Sequence, residues 1–171
     1  MTGLELYSHS LLDDQLWYVA HPVHPTDDEV TDGFRRLQGY VGGSPGEREL
    51  REIREEIIRA NIANAKAWLA WLIRAFPTIT FIAPWIAALD GGGDDDLVPE
   101  QRARGLRDCC RTIRRCSGMV HVGGRVSSGM TEEAKVAARV VDLTSLGRRP
   151  PALSSADPFR FAHAPSSEDS R

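Results

Sequence analysis

Apolar positions recur along this chain with two different periods, and the switches between them mark out its elements. Leu16-Trp17-Tyr18-Val19-Ala20 is a short apolar run closed by Pro22 and Pro25, which predicts a strand over 16–20. A second strand is expected over 79–84, with Ala83-Pro84-Trp85 as its exit. A third spans 118–123 and ends at Gly123-Gly124, and Val140-Val141-Asp142-Leu143-Thr144 makes a fourth over 140–144. Between these runs the spacing changes to three or four. After a polar start at Thr26-Asp27-Asp28-Glu29, Val30, Phe34, Leu37 and Val41 predict a short helix that Gly42-Gly43-Ser44-Pro45-Gly46 closes. Leu50, Ile53, Ile57, Ala65, Trp68, Leu69, Leu72 and Phe76 predict one long helix over 47–76, its apolar stripe interrupted by Asn61. A further helix starts near Pro99 and turns Leu106, Cys110 and Ile113 inward. After the polar loop at Arg125, the last helix opens on Ser127 and Ser128 and carries Glu132 and Glu133 in what reads as its first turn.

A strand, a helical crossover and a further strand form a right-handed unit with parallel strands. The alternation predicts a single α/β domain, a Rossmann-like or flavodoxin-like three-layer sandwich with a parallel sheet, over residues 16–145. Residues 1–15 are an N-terminal arm. The helical insertion at 26–46 is either a lid or a plain surface excursion. Residues 146–171 are rich in proline, serine and charge, so they are expected to be a disordered tail or a strap for a partner.

Composition narrows the class of function. A net charge of -3 gives no basic field for duplex nucleic acid. Cys109, Cys110 and Cys116 crowd one predicted helix, a spacing that fits neither a disulfide framework nor a zinc site. They read as reduced thiols in a cytoplasmic protein. The run Asp94-Asp95-Asp96 does not alternate with turn residues as a cation loop does, so no metal and no cofactor are expected. No apolar run approaches a membrane-spanning length of about 18 residues. Trp68 and Trp71 on the long helix lead to the expectation of a homodimer formed along it.

The segment Ser127-Ser128-Gly129-Met130-Thr131-Glu132-Glu133, following an apolar strand, resembles the active-site loop of the nucleoside 2-deoxyribosyltransferase-like superfamily. The resemblance implies that Glu133 is the nucleophile toward the anomeric carbon of a nucleoside sugar and that Ser127 lies at a phosphate site. It implies that Tyr18 sits beside the nucleophile and that His21 and His24, in the loop after the first strand, meet the ligand. Asn61 would help shape the site, or bond a neighbouring loop as an ordinary buried asparagine. Trp85 would stack on a nucleobase or plug the space between helix and loop. The acid that contacts the sugar in such enzymes falls at Cys109, with Asp108 one step away as its replacement in a shifted register. Ser128, Gly129 and Met130 are expected to face a phosphate or sugar hydroxyls. Neighbouring helix residues point about 100° apart, so only one of Glu132 and Glu133 can face a pocket. The activity implied is that of an N-glycosidase or N-deoxyribosyltransferase acting on a nucleoside 5'-monophosphate or nucleoside. The other reading is a catalytically silent nucleotide-binding module on the same fold.

Overall fold

The computed structural model describes residues 15–38, 46–90 and 97–152. Residues 1–14 of the expected arm at 1–15, 39–45 of the expected insertion, 91–96 and 153–171 of the expected tail at 146–171 lie outside the described residues. Four strands form one parallel sheet: β1 (Leu16–Ala20), β2 (Thr80–Ile82), β3 (Gly118–His121) and β4 (Val140–Asp142), in the order β2-β1-β3-β4. The expected α/β architecture is therefore present. Among the described residues no helix is long and apolar enough to cross a membrane.

The two-residue period of the strands divides the core. Trp17 and Val19 of β1, Phe81 of β2, Val120 of β3 and Val141 of β4 point to one face. There they meet Ile62, Ala65, Trp68 and Leu72 of α2 (Glu47–Ala75), whose stripe recurs every three or four residues. Tyr18, Ala20 and Met119 point to the opposite face, where Ile113 of α4 (Pro99–Ile113) and Met130 of α5 (Ser128–Ala134) cover them. Parity within β1 thus decides that Tyr18, and not Trp17, lies on the side of α4 and α5. The insertion folds as α1 (Asp27–Gln38), which packs on α2. It opens with a capping box: the Thr26 amide donates to the Glu29 carboxylate at 2.9 Å, and the Glu29 amide donates to Thr26 Oγ1 at 3.2 Å.

Two stretches depart from expectation. The second strand stops at Ile82, and Pro84 begins a helix, α3 (Pro84–Asp90), instead of closing a strand. A proline suits the first helical turn because its missing amide hydrogen has no partner to lose there. Beyond the expected end of the domain, a 3-10 turn at Thr144–Leu146 leads into a segment pinned at Arg148. The Arg148 carbonyl accepts from Trp68 Nε1 at 2.9 Å and from Asn64 Nδ2, and its guanidinium donates to Asn61 Oδ1 at 2.9 Å. The start of the polar tail is held by α2 through hydrogen bonds rather than apolar burial.

Candidate active site

From β1 the chain crosses over to β2 on one side, and from β2 it crosses back to β3 on the other. The topology therefore reverses between β1 and β3, and open α/β sheets bind ligands in the crevice at such a point, beyond the carboxyl ends of the strands. A cavity of about 240 Å³ lies there, walled by Ala20, His21, Trp85, Cys109, Ser127 and Glu133 among others.

Glu133 reaches it through local helix geometry. Ser127 caps α5, its Oγ accepting from the Met130 amide at 3.3 Å. Met130 and Glu133, one turn apart, then share the buried face. Glu132 turns to solvent and pairs with Lys135 at 2.6 Å, so the two neighbouring acids divide as helical spacing requires. Because the helix begins at Ser128, both acids stand in its second turn, not its first. The helix end thus contributes little to the Glu133 charge.

Burial dominates that charge and pushes the carboxyl up to about 7, while hydrogen bonds from Cys109 and Tyr18 pull the other way. Tyr18 Oη donates to Glu133 Oε1 at 3.3 Å from beneath the cavity. Burial, then the Glu133 charge, holds the Tyr18 phenol well above its ordinary value, and the same causes push the Cys109 thiol up to about 12. Both neighbours are therefore neutral donors at physiological pH. A buried carboxylate solvated by neutral donors is stabilised by any positive charge that develops beside it.

Asp108 does not take the place of the acid expected at Cys109. It stands at the cavity rim, largely exposed, and pairs with Arg111 at 3.1 Å, while Cys109 is the residue of α4 that meets Glu133. His21 and His24 both line the cavity. Burial is the first cause that lowers His21 to about 4, with Arg125 and Arg148 adding to it, so the ring is neutral. Asn64 Nδ2 lies 2.9 Å from His21 Nε2 and also donates to the Arg148 carbonyl. Since a carbonyl only accepts, that second bond fixes the amide orientation, makes Nε2 an acceptor and leaves the proton on Nδ1. Gly123 makes room for this ring: its φ is 94°, and a Cβ there would meet the imidazole at 2.5 Å.

Trp85 lines the cavity with its Nε1 tied to the Val19 carbonyl at 3.0 Å, so the indole is a fixed wall. Ser127, Gly129 and Met130 also line it, whereas Ser128 is exposed and outside. The Met130 amide is already used by the Ser127 cap and is not offered to a ligand. Asn61 is buried away from the cavity and donates to the Val23 carbonyl at 2.9 Å. It braces the first loop, whose Val23 lines the cavity, so the bond to a neighbouring loop and the shaping of the site are one arrangement.

Sequence reasoning missed Arg125 and Asn64. Arg125 follows the glycine pair directly, and Asn64 lies one helical turn from Asn61 on the same stripe of α2, which was the available signal. Among the described residues no group of three His, Cys, Asp or Glu side chains could hold a metal ion. Neither family models, nor curated proteins, nor solved structures yield a match to this chain.

Proposed function

We propose that this protein cleaves the N-glycosidic bond of a nucleoside 5'-monophosphate or nucleoside, with Glu133 as the working carboxylate. The reading is carried by one observation: a carboxylate buried at the switch point, held by the neutral donors Tyr18 and Cys109 and open to a cavity. Cleavage builds positive charge on the sugar ring, which such a group stabilises best. The carboxylate attacks C1', the C1'–N bond breaks, and its electron pair leaves with the base, which takes up a proton. Water then hydrolyses the glycosyl ester, or a second base accepts the sugar. Trp85 offers a flat apolar wall for the leaving base. No cofactor is required, since the protein's own carboxylate does the work.

A second reading, a silent nucleotide-binding module, draws on Cys109. A thiol where related chemistry uses an acid leaves one fewer anion to orient the sugar. We also propose a homodimer with α2 at or beside the interface, on the strength of Ile73, 49% exposed on that helix. The test of function is incubation with a panel of nucleoside 5'-monophosphates and nucleosides, with free base followed by chromatography. Release of base is the expected outcome. Tight binding with no release would favour the silent module.

A further inference from the structure

Beside the cavity, one carboxylate is shared between two guanidinium groups. Glu29 Oε2 lies 3.4 Å from Arg125 Nη2, and Glu29 Oε1 lies 3.4 Å from Arg148 Nη2. Charge-assisted bonds between such groups normally close to about 2.7–2.9 Å, so both pairs are loose. Each arginine is instead fixed by a neutral acceptor: Arg125 by the His24 carbonyl at 2.7 Å and Arg148 by Asn61 Oδ1 at 2.9 Å. Two positive charges thus face one negative charge, in a chain whose net charge is -3. The excess is felt next door, where both arginines disfavour the charged form of His21 on the cavity wall. Arg125 and Glu29 do not line the cavity themselves; the Arg125 side chain is 31% exposed and donates to the carbonyl of His24, which lines it, as does Ser127 two residues further along the chain.

We propose that Arg125 is the cation of a phosphate subsite at this cavity, and that the Glu29 carboxylate stands in for the phosphate until a ligand displaces it. The inference rests on the nucleotide reading of the same site and adds to it the group that recognises the phosphate and the group that competes for it. A phosphate carries more charge than a carboxylate and a third oxygen, which matches the arginine fork better than Glu29 does. Glu29 thereby sets a threshold: a nucleoside gains nothing from displacing it, whereas a monophosphate does.

The test reads binding without turnover, by calorimetry with inorganic phosphate, nucleoside 5'-monophosphates and the matching nucleosides. Glu29→Gln removes the competing charge yet keeps the capping box, because glutamine serves that position as well as glutamate. It should tighten phosphate and monophosphates by about tenfold, the size of one charged hydrogen bond, and leave nucleosides unchanged. Arg125→Gln should weaken the phosphate-bearing ligands by about tenfold or more and nucleosides little. Arg125→Lys keeps the charge and should restore part of the preference. Equal losses for nucleosides and monophosphates in Arg125→Gln would overturn the inference and make Arg125 a brace for the His24 loop. So would weaker phosphate binding in Glu29→Gln, a folded Lys variant as blind to phosphate as Gln, or a wild type that does not prefer phosphate. Phosphate binding that needs Arg125, without any base release, would sink the glycosidase activity and leave the subsite standing; base release from nucleosides with no phosphate preference would do the reverse.

Discussion

Glu133 takes its character from burial, and that has consequences with definite signs. A nucleophilic carboxylate must be ionised, so kcat/KM should rise with pH and level off, with its midpoint at about 7. Tyr18→Phe removes one donor to the anion and should move that limb to higher pH; an unmoved limb would mean that Tyr18 does not act on the carboxylate. Stability carries the same information. The folded value of about 7 lies above the ordinary 4.5, so the contribution of Glu133 is fully present below pH 4.5 and is lost as pH rises through 7. His21 works the other way: lowered from 6.5 to about 4, it stabilises above pH 6.5 and its contribution is lost as pH falls through 4. In the overlap the two slopes oppose each other. Glu133→Gln should therefore unfold at higher urea than wild type at pH 7, by up to about 3 kcal/mol, and should show the His21 slope alone. Lower stability of that variant at pH 7 would contradict the assigned burial. Helical spacing made it legible in the sequence that only one of Glu132 and Glu133 can face the pocket, while the choice of Glu133 came from the resemblance of its loop. Its ionisation was not legible, because the donors Tyr18 and Cys109 come from elements distant in the chain and the helix starts later than its acids implied.

Among the elements, α2 was the most legible, because an apolar stripe of 29 residues leaves little doubt about period or face. The strands were legible for the same reason. Helix α3 was not, since a proline after an apolar run reads equally as the end of a strand and as the first residue of a helix. The segment after Leu146 was hidden more deeply. It has almost no apolar content, and what holds it is the Arg148 backbone and side chain against polar atoms spaced along α2. Ending the chain after Leu146 strips the buried Trp68 indole of its acceptor and should cost about 2 kcal/mol against a chain ended after Ala152. Urea unfolding of the two truncations checks this, and coincident midpoints would show that the segment is not part of the folded unit.

At the scale of the whole molecule, alternation of strand and helix was enough to give a parallel sheet, and the sheet order then puts the crevice between β1 and β3. Assembly rests on the surface of α2. Trp68, one of the two tryptophans behind the expectation of a homodimer, is fully buried against the sheet and makes an edge-to-face contact with Trp71 at 5.6 Å. The proposed dimer therefore leans on Ile73 alone among the exposed large apolar residues of α2. Light scattering at micromolar concentration should give twice 18.9 kDa; the single-chain mass would remove the proposal. The site itself depends on the whole topology, since its parts come from β1, α3, α4 and the loop and helix after β3.

The central claim is that the Glu133 carboxylate does the chemistry, and it is tested most directly by measuring base release in wild type, Glu133→Gln and Glu132→Gln side by side. The account predicts a loss of about a thousandfold in Glu133→Gln with ligand binding retained, and a change within about twofold in Glu132→Gln, whose side chain faces solvent. Full base release by Glu133→Gln would contradict it.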